Sequence, residues 1–361
     1  MWPFMLIGGF FATATTLSRP GRQGRPGRIA WILGLVLLVL FIGLRHHVGM
    51  DWNNYLRMIH KAAQVRDLVD YLKVSEPGYA ALLMIGHLSG GGIYVTNLLS
   101  AAVFCLGLFA FARQCREPWL AVMTALPFFV IAFGMSANRQ ALAAGIVLIG
   151  LAYWENWGVL RRVAIILAAA MFHASAVIML GFVGLGLRIP LIVKLILVGL
   201  FSLVALFLLQ STGRFDYYDG LYGRGQSSLA QSSGALIHVA LNAVPAMLYF
   251  FWRKKRQMLF ATALLRQMGF AAMLTLPMVL ISSAAAGRIS LYWYPVSMSV
   301  LAALPGCFAP RSRRLVRILI VFLMMLELAG WLLLANSSIA HLPYRNALFI
   351  ADHELHIGII R

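Results

Sequence analysis

Charge is scarce in this sequence, and negative charge scarcest. Asp, Glu, Lys and Arg make up 11% of 361 residues, with 11 acids against 30 bases. A soluble globular domain carries roughly a quarter charged residues, so the composition excludes a soluble enzyme and a disordered chain. Cysteine is rarer still. Cys105, Cys115 and Cys307 stand in or beside apolar stretches without metal-ligand spacing, which argues against a disulfide framework and a zinc site. Walker A, GxSxG and HExxH patterns are absent, which disfavours ATP-driven transport and zinc proteolysis. No long alternation of polar and apolar residues suggests a transmembrane barrel.

What is there is apolar: 61% hydrophobic residues and a mean hydropathy of +0.83. Backbone polar groups in lipid must be satisfied within helices, so the expectation is an all-α, polytopic integral membrane protein. At roughly 20–25 residues per crossing the chain has room for about 12 spans. Residues 1–361 are then a single transmembrane domain with almost nothing left for an extramembrane one. The net charge of +19 would suggest nucleic acid in a soluble protein. Here the positive-inside bias accounts for it, and the partner is the lipid bilayer rather than nucleic acid. The N-terminal run MWPFMLIGGFFATATTL lacks the basic n-region of a cleaved signal and reads as a retained span.

Arginine placement sets the topology. Arg19, Arg22, Arg25 and Arg28 mark 18–28 as cytoplasmic. Spans follow at about 2–17, 29–44, 91–111, 119–135 and 140–155. Residues 45–90 are an external loop, and 77–90 are too short to cross, so they form an interfacial or re-entrant helix. Arg161 and Arg162 should share a side with the run 253–256, so an even number of crossings separates them. The obvious segments there are three: 163–187, 190–210 and 234–252. Parity is restored if 163–187 is a pair of half-helices broken near His173, which puts 211–233 outside. Broken helices are tolerated at membrane depth where they line a protein cavity. Making 77–90 a true span and 163–187 a single one would put Arg113, Arg116, Arg161 and Arg162 outside, against the charge rule. Spans at about 267–285, 289–308 and 318–335 complete the chain.

Five polar clusters interrupt apolar sequence or sit at span ends, and all fall on the external side. Ionisable groups at such places are costly and point to function. RHHVGMDWNNY holds Arg45, Asp51 and Tyr55, with Trp52 and Tyr55 also readable as interfacial anchors. SANRQALAAG places Arg139 and Gln140 at a helix start, where a cation opposes the macrodipole but joins it in attracting an anion. Ser136 or Asn138 would cap that helix. MFHAS sets His173 in an apolar stretch, a general base or hydrogen-bond donor to an oxyanion. No histidine follows at i+4, so no metal is expected there. GRFDYYDGLYGRG carries Asp216, Tyr217, Tyr218, Asp219 and Arg224, the rings and carboxylates that bind sugars. AAAGRISLYWY sets Arg288 at the start of an apolar run with Tyr292 one turn on. Two arginines on one face, Arg139 and Arg288, suggest a diphosphate site, because guanidinium binds phosphate bidentately.

The ordered series GLRHHVGMDWNNY, SEPGY, ANRQALAAGIVL, MFHASAVI and AGRISLYWYP resembles the EpsG family of Wzy-type exopolysaccharide polymerases, over about 45–295. The positions that carry it are Arg45, Gly49, Asp51, Tyr55, Glu76, Arg139, Gln140, His173, Ser175 and Arg288. His46–His47 ahead of the Gly-x-Asp step depart from the family pattern. The resemblance implies a GT-C-like glycosyltransferase of the bacterial inner membrane. It would join undecaprenyl-diphosphate-linked oligosaccharide repeat units at the periplasmic face, with a flippase and a chain-length regulator of the same pathway as partners and no cofactor. On that reading Arg139 and Arg288 hold the donor diphosphate, and Asp51 or His173 takes the acceptor proton. Arg45 and Glu76 position them, and 216–219 contact sugar. The rivals are an O-antigen ligase or other lipid-linked glycan transferase, which shares the donor but not the acceptor, and a flippase or transporter for the same unit. The chain shows no internal repeat of the kind many transporters are built from.

Overall fold

Proline decides where several helices begin. Its fixed φ suits the first turn and its missing N–H costs nothing there. In the computed structural model Pro3, Pro77, Pro118 and Pro310 all lie in the first turn of a helix. The structure describes residues 1–18, 26–65, 74–187, 190, 192–193, 234–252, 259 and 262–355. Among these the chain is helical, with one isolated bridge, Arg45 to Asn346, as the extended pairing.

In chain order the helices are α1 (Trp2–Leu17), α2 (Arg28–Gly43), α3 (Trp52–Gln64), α4 (Pro77–Leu88), α5 (Gly92–Ala112) and α6 (Pro118–Ala125). After α6, Leu126–Gly134 continues as a π-helix, with Pro127 in its first turn. Then come α7 (Asn138–Ala152), α8 (Val159–Ala170), α9 (Leu180–Gly186), α10 (Ala235–Phe251), α11 (Ala263–Ile281), α12 (Ser283–Ser290), α13 (Tyr294–Ala303), α14 (Pro310–Leu334) and the short α15 (Asp352–Leu355). Three of them, α5, α11 and α14, are long and apolar enough to cross a membrane, and seven shorter apolar segments of 10–17 residues accompany them. Of the expected spans, most of 190–210 lies outside the described residues, as does the loop 211–233.

The stretch 163–187 is not one helix. α8 ends at Ala170, the chain turns through Met171–His173, and a 3-10 turn (Ala174–Met179) precedes α9. The break falls where the arginine parity asks for one.

By its contacts the chain forms two compact units, Met1–Val177 with Leu301–Arg361, and Ile178–Val300. In the first, α5 packs along α2, α4 and α7. The α5–α7 seam closes at Gly107 and Gly145: a Cβ on Gly107 would overlap the Gly145 carbonyl, and one on Gly145 would meet the Phe104 backbone. Small residues at such a seam let helix backbones approach closely, which replaces the hydrophobic drive that lipid removes. α1 and α6 pack on α14. In the second unit α10, α11 and α12 pack together. Asn242 joins α10 to α12 and α13, donating to the Ser290 carbonyl at 2.7 Å and accepting from the Ser297 hydroxyl at 2.8 Å. Thr262 and Ser282 cap the starts of α11 and α12.

Candidate functional site

Four helix ends in the first unit carry polar sequence motifs. Asp51 stands at the N-cap of α3, Glu76 at the N-cap of α4, Arg139 is the second residue of α7, and His173 follows the end of α8. Glu76 precedes Pro77, and the residue before a proline is pushed to extended backbone, so the helix starts no earlier. That leaves a carboxylate at a helix N-terminus, where the macrodipole favours it.

Glu76 is the meeting point. It is 5% exposed. Its Oε2 accepts from Arg139 Nη1 at 2.8 Å and from the Ser75 hydroxyl at 3.0 Å. Its Oε1 lies 3.4 Å from His173 Nδ1, within ion-pair range but off line for a formed hydrogen bond, so Nδ1 is buried without a hydrogen-bond partner. Burial by itself would raise the Glu76 pKa. The His173 imidazole and the Arg139 guanidinium outweigh it and hold the carboxyl well below the ordinary range.

Arg139 is also held through its backbone. Its backbone N–H donates to the Tyr55 hydroxyl at 3.3 Å, and Tyr55 lies one turn after Asp51 on α3. Its Nε is buried without a partner, while the side chain as a whole stays 34% exposed. Burial pushes the Tyr55 phenol up to about 12, with the Asp51 charge acting in the same direction. The Tyr55 ring lies 5.8 Å from that of Tyr79 on α4. Asn138, next to Arg139, donates to the Tyr79 hydroxyl (3.0 Å), Asn97 Oδ1 (3.0 Å) and the Ser100 hydroxyl (3.3 Å). A cation, a carboxylate and an imidazole thus converge beside a helix start: an arrangement that can bind an anion and move a proton.

A family model described as the EpsG family matches residues 28–346. The chain belongs to the EpsG family. No curated protein and no solved structure matches it. Membership points to a polysaccharide polymerase-like role, and with the three long apolar helices it makes this EpsG chain a membrane protein.

Arg45 is 1% exposed, and its guanidinium donates to the carbonyls of Ile42 (2.6 Å) and Val48 (3.1 Å), closing the C-terminal end of α2. Burial lowers its pKa to about 10, against the opposing pull of Tyr55, Tyr79 and Tyr344. Gln140 is buried in α7. In the second unit Tyr292 is buried, and Arg288 is exposed in the last turn of α12 rather than at the start of a span. The Ser282 cap starts α12 ahead of Arg288, so the cation lies within helical sequence that continues through Leu291–Trp293 rather than opening it. Asp216, Tyr217, Tyr218, Asp219 and Arg224 lie outside the described residues. Neither Ser136 nor Asn138 caps α7; both side chains are taken by tertiary contacts.

Sequence reasoning missed the C-terminal segment of the EpsG chain. It returns over the Arg45–Asp51 loop and ties it down. His46 N–H donates to the Arg345 carbonyl (2.9 Å), Gly49 N–H to Ala340 (2.8 Å), and Ala347 N–H to Leu44 (2.7 Å). Ser136 joins both, accepting from Met50 N–H at 3.2 Å and meeting His341 Nε2 at 3.3 Å. Gly49 makes the seat possible: its φ is +108°, and a Cβ there would overlap the Met135 carbonyl. His46, unexplained by the motif pattern, pairs through Nδ1 with the Tyr94 hydroxyl at 2.6 Å. The polar stripe Thr96, Asn97, Ser100 on otherwise apolar α5 has helical spacing and was a readable signal.

Proposed function

We propose that this protein is a polysaccharide polymerase that joins lipid-diphosphate-linked oligosaccharide repeat units at the periplasmic face of the bacterial inner membrane. The observation that carries the reading is the convergence of Arg139 and His173 on the buried carboxylate of Glu76. In this reading the chain makes about 12 crossings in a GT-C-like arrangement, with 45–90 and 211–233 outside. The acceptor hydroxyl attacks the anomeric carbon of the donor's first sugar, and the undecaprenyl diphosphate leaves with the bonding pair. Arg139 and Arg288 are the residues proposed to stabilise that leaving group. Asp51 or His173 accepts the acceptor's proton. Asp216, Tyr217, Tyr218 and Asp219 are assigned to sugar, and Arg224, Gln140 and Tyr292 are further substrate-binding candidates. Arg45 holds the Asp51 loop rather than the substrate itself. A flippase and a chain-length regulator serve the same pathway.

The test is complementation of a deletion strain. Arg139→Ala and Arg288→Ala, at native expression, should abolish long polymer on gels while single exported units persist. Unchanged polymer length and yield in both would overturn the diphosphate assignment. Accumulation of units on the cytoplasmic leaflet would replace the polymerase with a flippase.

A further inference from the structure

The Glu76 carboxylate serves two partners with two different oxygens, and neither partner is fully satisfied. Oε2 belongs to Arg139 and Ser75, and Oε1 faces His173. Arg139 keeps a buried Nε without a partner, and His173 keeps a buried Nδ1 without one. The two differ in access. The Arg139 side chain is 34% exposed, against 14% for His173 and 7% for Glu76. An incoming anion therefore meets the arginine first.

A diphosphate offers more acceptor oxygens than the carboxylate does, in the geometry the guanidinium fork prefers. It can fill Nε and both terminal nitrogens together. Arg139 then loosens its hold on Oε2. A buried carboxylate that loses one counter-charge must tighten on the other, because an unpaired buried charge is costly. The remaining counter-charge is His173.

We propose, on the polymerase reading above, that Glu76 couples donor binding to proton abstraction: the donor diphosphate draws Arg139 off the carboxylate, which then pairs with His173 and readies it as the base. Glu76 is a positioning residue and His173 the catalytic one. With Nδ1–H directed at Glu76, the other ring nitrogen takes the acceptor's hydroxyl proton as the acceptor oxygen bonds to the anomeric carbon. The carbon–oxygen bond to phosphate breaks with its electron pair on the diphosphate. The imidazolium, paired with Glu76, returns its proton to water after the lipid diphosphate departs and Arg139 reclaims Oε2. This chooses His173 over Asp51 and makes the resting Arg139–Glu76 pair a brake on proton transfer in the absence of donor.

The full chain in lipid nanodiscs tests this with two measurements. One is binding of inorganic pyrophosphate; the other is elongation of lipid-linked oligosaccharide extracted from a deletion strain. Glu76→Gln should bind pyrophosphate about two- to fivefold more tightly, the range for releasing a partly exposed ion pair, yet elongate more slowly. Glu76→Asp should bind near the native level and recover part of the turnover. His173→Gly should lose about 100-fold or more in kcat, the usual worth of a general base, with little change in donor KM. Added imidazole should restore at least part of it, which no merely structural role would allow. Weaker pyrophosphate binding by Glu76→Gln, or native turnover by His173→Gly, would overturn the coupling. Failure of the native chain to elongate any lipid-linked unit would instead sink the polymerase reading, and the coupling would then stand or fall on the pyrophosphate order alone.

Discussion

Asn138 offers the sharpest test of how the site is held. It is 1% exposed and its amide serves three acceptors, on Tyr79, Asn97 and Ser100. An amide has two N–H groups, so one of the three is shared, and the longest contact, to Ser100, is the natural candidate. Asn138→Leu keeps the volume and removes both donors. Two magnitudes compete. Interhelical hydrogen bonds in a membrane bundle average about 0.6 kcal/mol by double-mutant cycle. Leaving a buried acceptor unsatisfied costs about 1–3 kcal/mol. The Tyr79 hydroxyl and Asn97 lie inside protein rather than lipid, which favours the larger figure, but a hydroxyl can turn to another acceptor. We expect a loss of about 1–2.5 kcal/mol for Asn138→Leu. Asn97→Leu removes the same bond from the other side, so the two changes should be less than additive. Reversible unfolding of purified protein in mixed micelles measures both singles and the double. A loss below about 0.5 kcal/mol, the noise of additivity, would mean that this network does not hold α7 against α4 and α5. So would strict additivity.

Two further outcomes follow from the geometry. Gly49→Ala should destabilise the chain by more than Gly90→Ala: both glycines have positive φ, worth about 1–2 kcal/mol against a side chain, but a Cβ at Gly49 overlaps the Met135 carbonyl while one at Gly90 meets open space. Equal unfolding midpoints for the two would show that the Asp51 loop is not seated on Met135. The depressed pKa of Glu76 gives stability that is fully present above its unfolded value, near 4.3, and is lost as pH falls through the folded value. The native chain's advantage over Glu76→Gln should therefore hold at neutral pH and shrink below about pH 4, and a constant difference from pH 7 to 3 would contradict the pairing.

The helices were legible because lipid leaves little choice: long apolar runs must be helical, and arginines mark their ends. The break at His173 was legible for a less direct reason, that the charges on either side would not otherwise agree. Arg139 and His173 were visible as polar interruptions, and Glu76 through the family resemblance. Their meeting was not, because Glu76 and Arg139 are 63 residues apart and nothing local reports which helix ends share a corner. Arg45 was visible as a charge, but whether it faces substrate or its own helix depends on a carbonyl at Ile42 that every helix end offers. Ser136 and Asn138 looked like caps because their type and place fit one. Tertiary acceptors outcompeted the helix for both. The C-terminal segment was beyond sequence reasoning, since its ties to the Arg45–Asp51 loop run mostly through backbone groups, which carry no residue signature.

The corner where the site forms has a cause in backbone chemistry. The first N–H groups and last carbonyls of any helix lack partners within it, and inside a membrane protein they cannot be left to lipid. α4 and α8 solve this with each other: the Gly78 N–H, in the first turn of α4, donates at 2.8 Å to the Met171 carbonyl that ends α8. That single bond joins a donor-rich helix start to an acceptor-rich helix end. It also fixes the residue before Pro77 against the residue after Phe172, and these are Glu76 and His173. Ending α8 there is what allows it, because a continuous helix through 171–173 would take the Met171 carbonyl for its own ladder. The broken helix within 163–187 and the carboxylate–imidazole contact at the site are therefore one structural event, and a chain with a straight helix through 163–187 would lose both.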